Sequence, residues 1–330
     1  SGLASVLEGQ VANAYTITIT ETSISATNLS SIAEKTSLQI TATDMTSITG
    51  SISDVSTVLS SGTVNYTSSG LSYAILSSEN TDNLTLTNLT DLINLIGTVD
   101  ATNITSLSDN YTNLIAIYGI SNLNNLNSNE TSITVNDEIS KANANNLKLA
   151  ANSSTITATI DDSFSNLSSL HVNDSDDYTI VVNDFVLLSS ADDLNTLIGK
   201  TTGSVSGTFN GNADVLSAIT ANTGTKNDLT LIVSDEASVT EATSIIAATN
   251  KDTVAFHSNG INGSLEDLNT NISNITTADD DVNISFDTIT AATATNKNHL
   301  NAVLAATKGT VTGSITGSAA VLSAITANTG

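Results

Sequence analysis

Two patterns of apolar and polar positions alternate along the chain. In the stretch Leu229–Ser273, "LTLIVSD" is rich in β-forming residues, whereas "VTEATSIIAATNK" carries its apolar positions at helical spacing. "TVAFHSNGINGS" then reads as extended chain punctuated by glycine. "LEDLNTNISNI" sets Leu265, Leu268, Ile272 and Ile275 on one face of a helix. The end of the sequence repeats the alternation: "TVTGSITGS" predicts a strand and "AAVLSAITANTG" a helix. Val321, Leu322 and Ile325 form its apolar stripe, with Ser318 as N-cap and Gly330 at the C′ position. One strand–helix step takes about 20–28 residues, the size of a single coil in a solenoid.

The steps recur. "VLSAITANTG" occurs at Val215–Gly224 and again at Val321–Gly330, and the match extends without gaps to Ser204–Gly224 against Thr310–Gly330. Further back, "DSDDYTIVV" (Asp174–Val182) corresponds to "DDDVNISF" (Asp279–Phe286), and "TSITVNDEIS" (Thr131–Ser140) to "LTLIVSDEAS" (Leu229–Ser238). "SITGSISDVSTVL" (Ser47–Leu59) opens like "SITGSAAVLSAI" (Ser314–Ile325). The expected organisation is a lead-in over 1–15, a first two-coil repeat over 16–62, and a degenerate region over 63–130 in which Thr63–Asn83 interrupts the series. Two copies of a long unit follow, over 131–224 and 225–330. Because the last decapeptide is the helix and cap of one coil, further coils are expected beyond it.

The fold expected is an α/β solenoid, stacked strand–helix coils with a parallel sheet on one side. The absence of proline agrees, since a stacked strand needs every backbone N–H. The alternative is an all-β right-handed solenoid, because Thr, Ser and Val are abundant and Ser and Thr lower helix propensity. The α/β reading is preferred on stretches such as Ser189–Gly199 and Asn296–Gly309, which do not read as strands.

Composition narrows the function. Aromatic residues make up 3% and there is no Trp or Cys, so the core is built from small aliphatic side chains without disulfides. Asp and Glu number 33 against 8 Lys and Arg, a net charge of −25. That sign excludes nucleic acid as a partner and disfavours anionic membrane surfaces. No apolar run is long enough to span a bilayer, and no signal peptide is visible at the N-terminus.

The Ser/Thr-rich units "SITGSISDVSTVL", "GTFNGNADVLSAITANTG" and "TGSITGSAAVLSAITANTG" resemble the tandem repeats of very large secreted surface proteins of marine bacteria, cyanobacteria especially. The resemblance covers most of the chain from Thr16 on, with Thr63–Asn83 and Gly119–Glu130 departing from it. It implies an extracellular, cell-surface location and a structural or adhesive role in arrays, filaments or layers. It brings no catalytic residues. The nonapeptide calcium repeat of toxin-type secreted proteins is absent.

Candidate chemistry is sparse. His171, His257 and His299 each stand alone, and no HExxH, GxSxG, P-loop or GxGxxG motif occurs. Two carboxylate triplets lie at equivalent places before a strand: Asp174, Asp176 and Asp177, then Asp279, Asp280 and Asp281. Their oxygens are expected to face a loop edge, where hard cations find ligands, and calcium is the candidate ion. Asp137/Glu138 and Asp235/Glu236 form a second equivalent pair. Alternating threonines in "TITIT" (Thr16–Thr20) and "TITAT" (Thr155–Thr159) could form a water-ordering strand face. The expectation is a non-enzymatic structural subunit, requiring no cofactor, that self-assembles into a filament, sheath or surface layer. The alternative is an adhesin or an ice- or ligand-binding surface, with a cell surface or polysaccharide as partner.

Overall fold

The computed structural model of the chain describes residues 14–76, 78–79, 84–126, 131–152, 154–172, 176–221, 227–251, 254–275 and 281–327. Among these it contains seventeen strands and twelve α-helices, a mixed α/β architecture built on parallel strand pairing. The all-β alternative is thereby overturned. Its physical basis was sound for strands, but the same Ser, Thr and Asn residues also start helices. Ser25, Ser51, Thr85, Asn110, Ser140, Asn212, Ser238, Thr293 and Ser318 are N-caps whose side chains accept the backbone N–H three residues on. A sequence full of such residues breaks long helices and nucleates short ones.

The chain divides into two compact units, Ser1–Thr159 with His171–Asp177, and Ile160–Leu170 with Tyr178–Gly330. In chain order the first holds β1 (Ser23–Ser25), α1 (Ala26–Ala33), β2 (Ile40–Thr41), β3 (Ser47–Thr49), α2 (Ile52–Ser60), β4 (Val64–Asn65) and β5 (Ser72–Ala74). It continues with α3 (Leu86–Leu95), β6 (Thr98–Asp100), β7 (Ser106–Asp109), α4 (Tyr111–Tyr118), β8 (Leu123–Asn124), β9 (Ser132–Ile139), α5 (Lys141–Ala151) and the start of β10 (Thr155–Asp162).

Five of these strands form a sheet in the order β1-β3-β5-β6-β8. Ser23 opposes Ser47, Ser47 opposes Ser72 and Ser72 opposes Thr98, a column of hydroxyls. One residue on, Ile24, Ile48, Tyr73, Val99 and Leu123 form a column of apolar side chains, all buried. The strand period of two thus separates a wet column from a dry one. Each buried member contributes about 1.5–3 kcal/mol of gross hydrophobic stabilisation. Residues Thr63–Asn83, expected to interrupt the series, supply β4 and β5, and β5 continues the register. The helices pack in sequence order, α1 on α2, α2 on α3, α3 on α4 and α4 on α5.

The second unit holds the end of β10, then α6 (Phe164–Leu167), β11 (Asp177–Leu187, from Tyr178), α7 (Asp192–Gly199), β12 (Val205–Gly211), α8 (Ala213–Ser217), β13 (Asn227–Val233) and β14 (Ala237–Ser238). After these come α9 (Val239–Ala247), β15 (Ile261–Gly263), α10 (Leu265–Ile275), β16 (Ile284–Ala292), α11 (Ala294–Ala306), β17 (Val311–Gly317) and α12 (Ala319–Leu322). β11, β12 and β13 pair in succession, and β14 to β17 form a four-stranded sheet in chain order. There Ala237, Ile261, Ile284 and Val311 make the apolar column, beside Ser238, Asn262, Ser285 and Thr312. Leu265, Leu268, Ile272 and Ile275 are all buried on α10, as their spacing predicted. In both units paired strands lie about 25 residues apart, the length of one strand–helix step.

Side chains tie each step to the next in the same way at several places. Buried Thr36, Thr201, Thr249 and Thr307 each follow a helix. Their hydroxyls donate to the carbonyls of Tyr15, Tyr178, Leu229 and Val282 at 2.6–2.7 Å. Each also accepts the N–H two residues further on. A second tie explains the repeated decapeptide. Asn195 donates to the Ala218 carbonyl and accepts from the Thr220 N–H, while Asn301 does the same with Ala324 and Thr326. One clasp holds the same turn in both copies.

Two coils are close structural twins. In Tyr15–Thr41, the Tyr15 N–H and carbonyl both bond Thr36, and Thr18 bridges Thr41. In Leu229–Ala255, the Leu229 N–H and carbonyl both bond Thr249, and Ile232 bridges Ala255. Gly260, at φ 72°, lets the chain pass close to the following coil: a Cβ there would stand 1.7 Å from the Asn283 carbonyl oxygen.

Replacing Thr249 by Val keeps its shape but removes both bonds to Leu229 and the one from Lys251. The expected loss is about 2–3 kcal/mol, read as a lowered urea midpoint, because buried backbone groups are left unpartnered. An unchanged midpoint would mean the latch is energetically idle.

Candidate functional site

The first carboxylate triplet is split. Asp174 lies outside the described residues. Asp177, at the start of β11, is exposed. Asp176 is fully buried, and its Oδ1 sits 2.7 Å from the Lys148 ammonium, also buried. Asp176 therefore does not face the loop edge as expected. The reason lies on α5, whose buried face of Ala144, Leu147, Lys148 and Ala151 carries a cation into the interior. That cation donates to the Ser154 carbonyl at 2.7 Å and requires a counter-charge, while the Ile156 N–H donates to the same Asp176 oxygen at 2.9 Å. Nearby, burial pushes the Tyr118 phenol up to about 12, the Ser154 hydroxyl acting in the opposite direction.

In the second triplet Asp279 and Asp280 lie outside the described residues, and Asp281 is exposed ahead of β16. The counterpart of α5 in this copy is α9 (Val239–Ala247), which carries no Lys. Among the described residues no group of three or more His, Asp and Glu side chains is arranged to hold a metal ion.

The second acidic pair has a clear structural task. Asp137 accepts the N–H of Tyr111, the first residue of α4, at 2.8 Å, and Asp235 accepts the N–H of Ala213, the first residue of α8, at 2.7 Å. Two residues the sequence did not single out do the same: Glu79 caps Ile52 on α2, and Asp184 caps Phe164 on α6. In each case the carboxylate comes from 20–27 residues further along the chain, and at α2, α4 and α8 it complements a local N-cap side chain. A carboxylate here satisfies an orphan donor and meets the positive end of the helix dipole. Glu236 accepts from Asn262 and Ser285, and Asp100 from Thr102 and Asn125. The Thr102 hydroxyl, the Asn125 amide and the Thr102 N–H hold the Asp100 carboxyl below its ordinary value. Asp214 on α8 is pushed the other way by the hydrogen bond and charge of Glu241 on α9. These carboxylates are thus engaged between steps.

The remaining candidates are modest. His257 accepts the Asn259 N–H, and the backbone of His171 donates to Asn145; among the described residues neither imidazole is paired with a nucleophile. Shallow grooves run between successive helices. One of about 340 Å³ lies between α9 and α10, and one of about 260 Å³ lies between α1 and α2, in the twin coils. A third, of about 380 Å³, is closed on one side by Phe164 and by Lys200, which bonds the Ser168 and Leu170 carbonyls. No helix is long and apolar enough to cross a membrane among the described residues. Compared with protein-family models, curated proteins and solved structures, the chain matches none of them.

Asp176→Asn keeps an acceptor for Ile156 but strands the Lys148 charge in the interior. A loss of about 3 kcal/mol or more is expected in chemical unfolding, with or without calcium in the buffer. If the variant is stable in chelator and differs from the parent only when calcium is present, the aspartate is a ligand rather than an ion-pair partner.

Proposed function

We propose that the chain is a non-enzymatic structural repeat protein of the cell exterior, an α/β solenoid that serves as a rod-like subunit of a filament, sheath or surface layer. The observation that carries this reading is the regular advance of the parallel register by about one strand–helix step, with the same backbone latch repeated at Thr36, Thr201, Thr249 and Thr307. A chain held together mainly by bonds between successive steps has no need of one central core, and its length grows with the number of steps.

The engaged carboxylates support the same reading. A solenoid exposes many helix N-termini along one side, and an acidic side chain from the following step is an economical partner for each. The surplus negative charge keeps a large exported array soluble, and salt screens its self-repulsion. Calcium belongs to this proposal as a surface ion at the exposed Asp177 and Asp281, not as part of the interior.

Small-angle scattering of the isolated chain tests the rod. The account expects a pair-distance distribution with a long tail and a maximum dimension well beyond that of a sphere of 33.7 kDa. A symmetric, compact distribution would sink it.

A further inference from the structure

Two lysine–aspartate pairs among the described residues sit in opposite surroundings. Lys251 and Asp228 meet at 3.1 Å with 43% and 42% of their side chains exposed, so water hydrates both charges. Lys148 and Asp176 meet at 2.7 Å with only 7% and 0% exposed. Around them, from the end of α5 to the start of β10, Leu147, Ala151, Ser154 and Ile156 are each fully buried.

An ion pair kept from water in this way is costly. Each charge loses its hydration, and the attraction between the two repays that loss only in part. A neutral bond between the same groups carries no such cost. The fold also holds the groups in contact, which removes the entropy of encounter that slows amide formation between a free amine and a free acid. The Lys148 Nζ is fixed by the Ser154 carbonyl at 2.7 Å, and the Asp176 Oδ1 by the Ile156 N–H at 2.9 Å.

We propose that Lys148 and Asp176 condense to an intramolecular isopeptide bond, for which the ion pair is the reactant. The ammonium yields two protons, a bond forms between Nζ and Cγ, and the bond from Cγ to Oδ2 breaks. Oδ2 leaves as water with both protons, so no oxidant, metal or cofactor enters. The Ile156 N–H lies where negative charge gathers on Oδ1 as the nitrogen adds. The product keeps one N–H and one carbonyl oxygen, the groups that the Ser154 carbonyl and the Ile156 N–H require. Lys251 and Asp228, open to water, stay ionic.

The bond closes a loop between residues 28 apart, joining α5 to the residue before β11. Unfolding then cannot separate these two steps, and the unfolded chain has less freedom to gain. This holds for a rod and for a compact molecule alike, so the inference stands apart from the reading above.

Mass spectrometry of the full 330-residue chain, folded, incubated and then denatured, tests it together with Lys148→Arg. The parent should weigh about 18 Da less than its sequence, the mass of one water. Trypsin should fail to cut after Lys148 and release Ala142–Lys200 as one peptide carrying the loss, while cutting normally after Lys251. Lys148→Arg keeps the cation but has no amine to condense, so it should show its full sequence mass and be cut at position 148. Should that variant fail to fold, the peptide map of the parent decides alone. A parent at full sequence mass, a loss accompanied by normal cutting after Lys148, or a loss that persists in Lys148→Arg overturns the inference.

Discussion

A single strand–helix step cannot satisfy its own backbone. Its strand has two edges, its helix begins with unbonded N–H groups, and its connecting turns leave carbonyls facing inward. The partners come from the neighbouring step. Parallel strands supply the edges, threonine hydroxyls meet the carbonyls at the strand starts, and carboxylates cap the helices. Once each step is completed by the next, the recurrence of sequence is a consequence. Whatever residue makes a tie must reappear about one step later.

That constraint gives the composition its meaning. Aliphatic side chains make up most of the described core, and Tyr73, Tyr178 and Phe209 are its largest fully buried members. Ser, Thr and Asn act chiefly through the backbone, as N-caps, latches and clasps. The carboxylates that looked like a metal site in outline are partly structural: Asp235 and Asp137 close helices, and Asp176 neutralises Lys148. Several carboxylates therefore serve the contacts between steps.

The sequence made the strand–helix alternation legible because its signals are local. The four apolar positions of α10 and the Ser318 cap lie within a few residues of one another. The decapeptide helix is shorter than its pattern predicts, because Asn195 and Asn301, in the preceding step, hold Ala218 to Thr220 and Ala324 to Thr326 as turns. Asp176 was misjudged for a similar reason. Its partner sits 28 residues earlier, and the only local hint is a lysine at an apolar position of α5. Glu79 and Asp184 went unnoticed because a capping carboxylate is recognisable only once the neighbouring helix is in place.

The central claim is that stability passes from each step to its neighbours. Hydrogen exchange, read peptide by peptide in the parent and in Thr307→Val, tests it most directly. Thr307 bonds the Val282 carbonyl and the Gly309 N–H. Loss of protection confined to β16, α11, β17 and α12, with β1 to α4 unchanged, is the result the account predicts. An equal loss along the whole chain would contradict it and point to a single cooperative core.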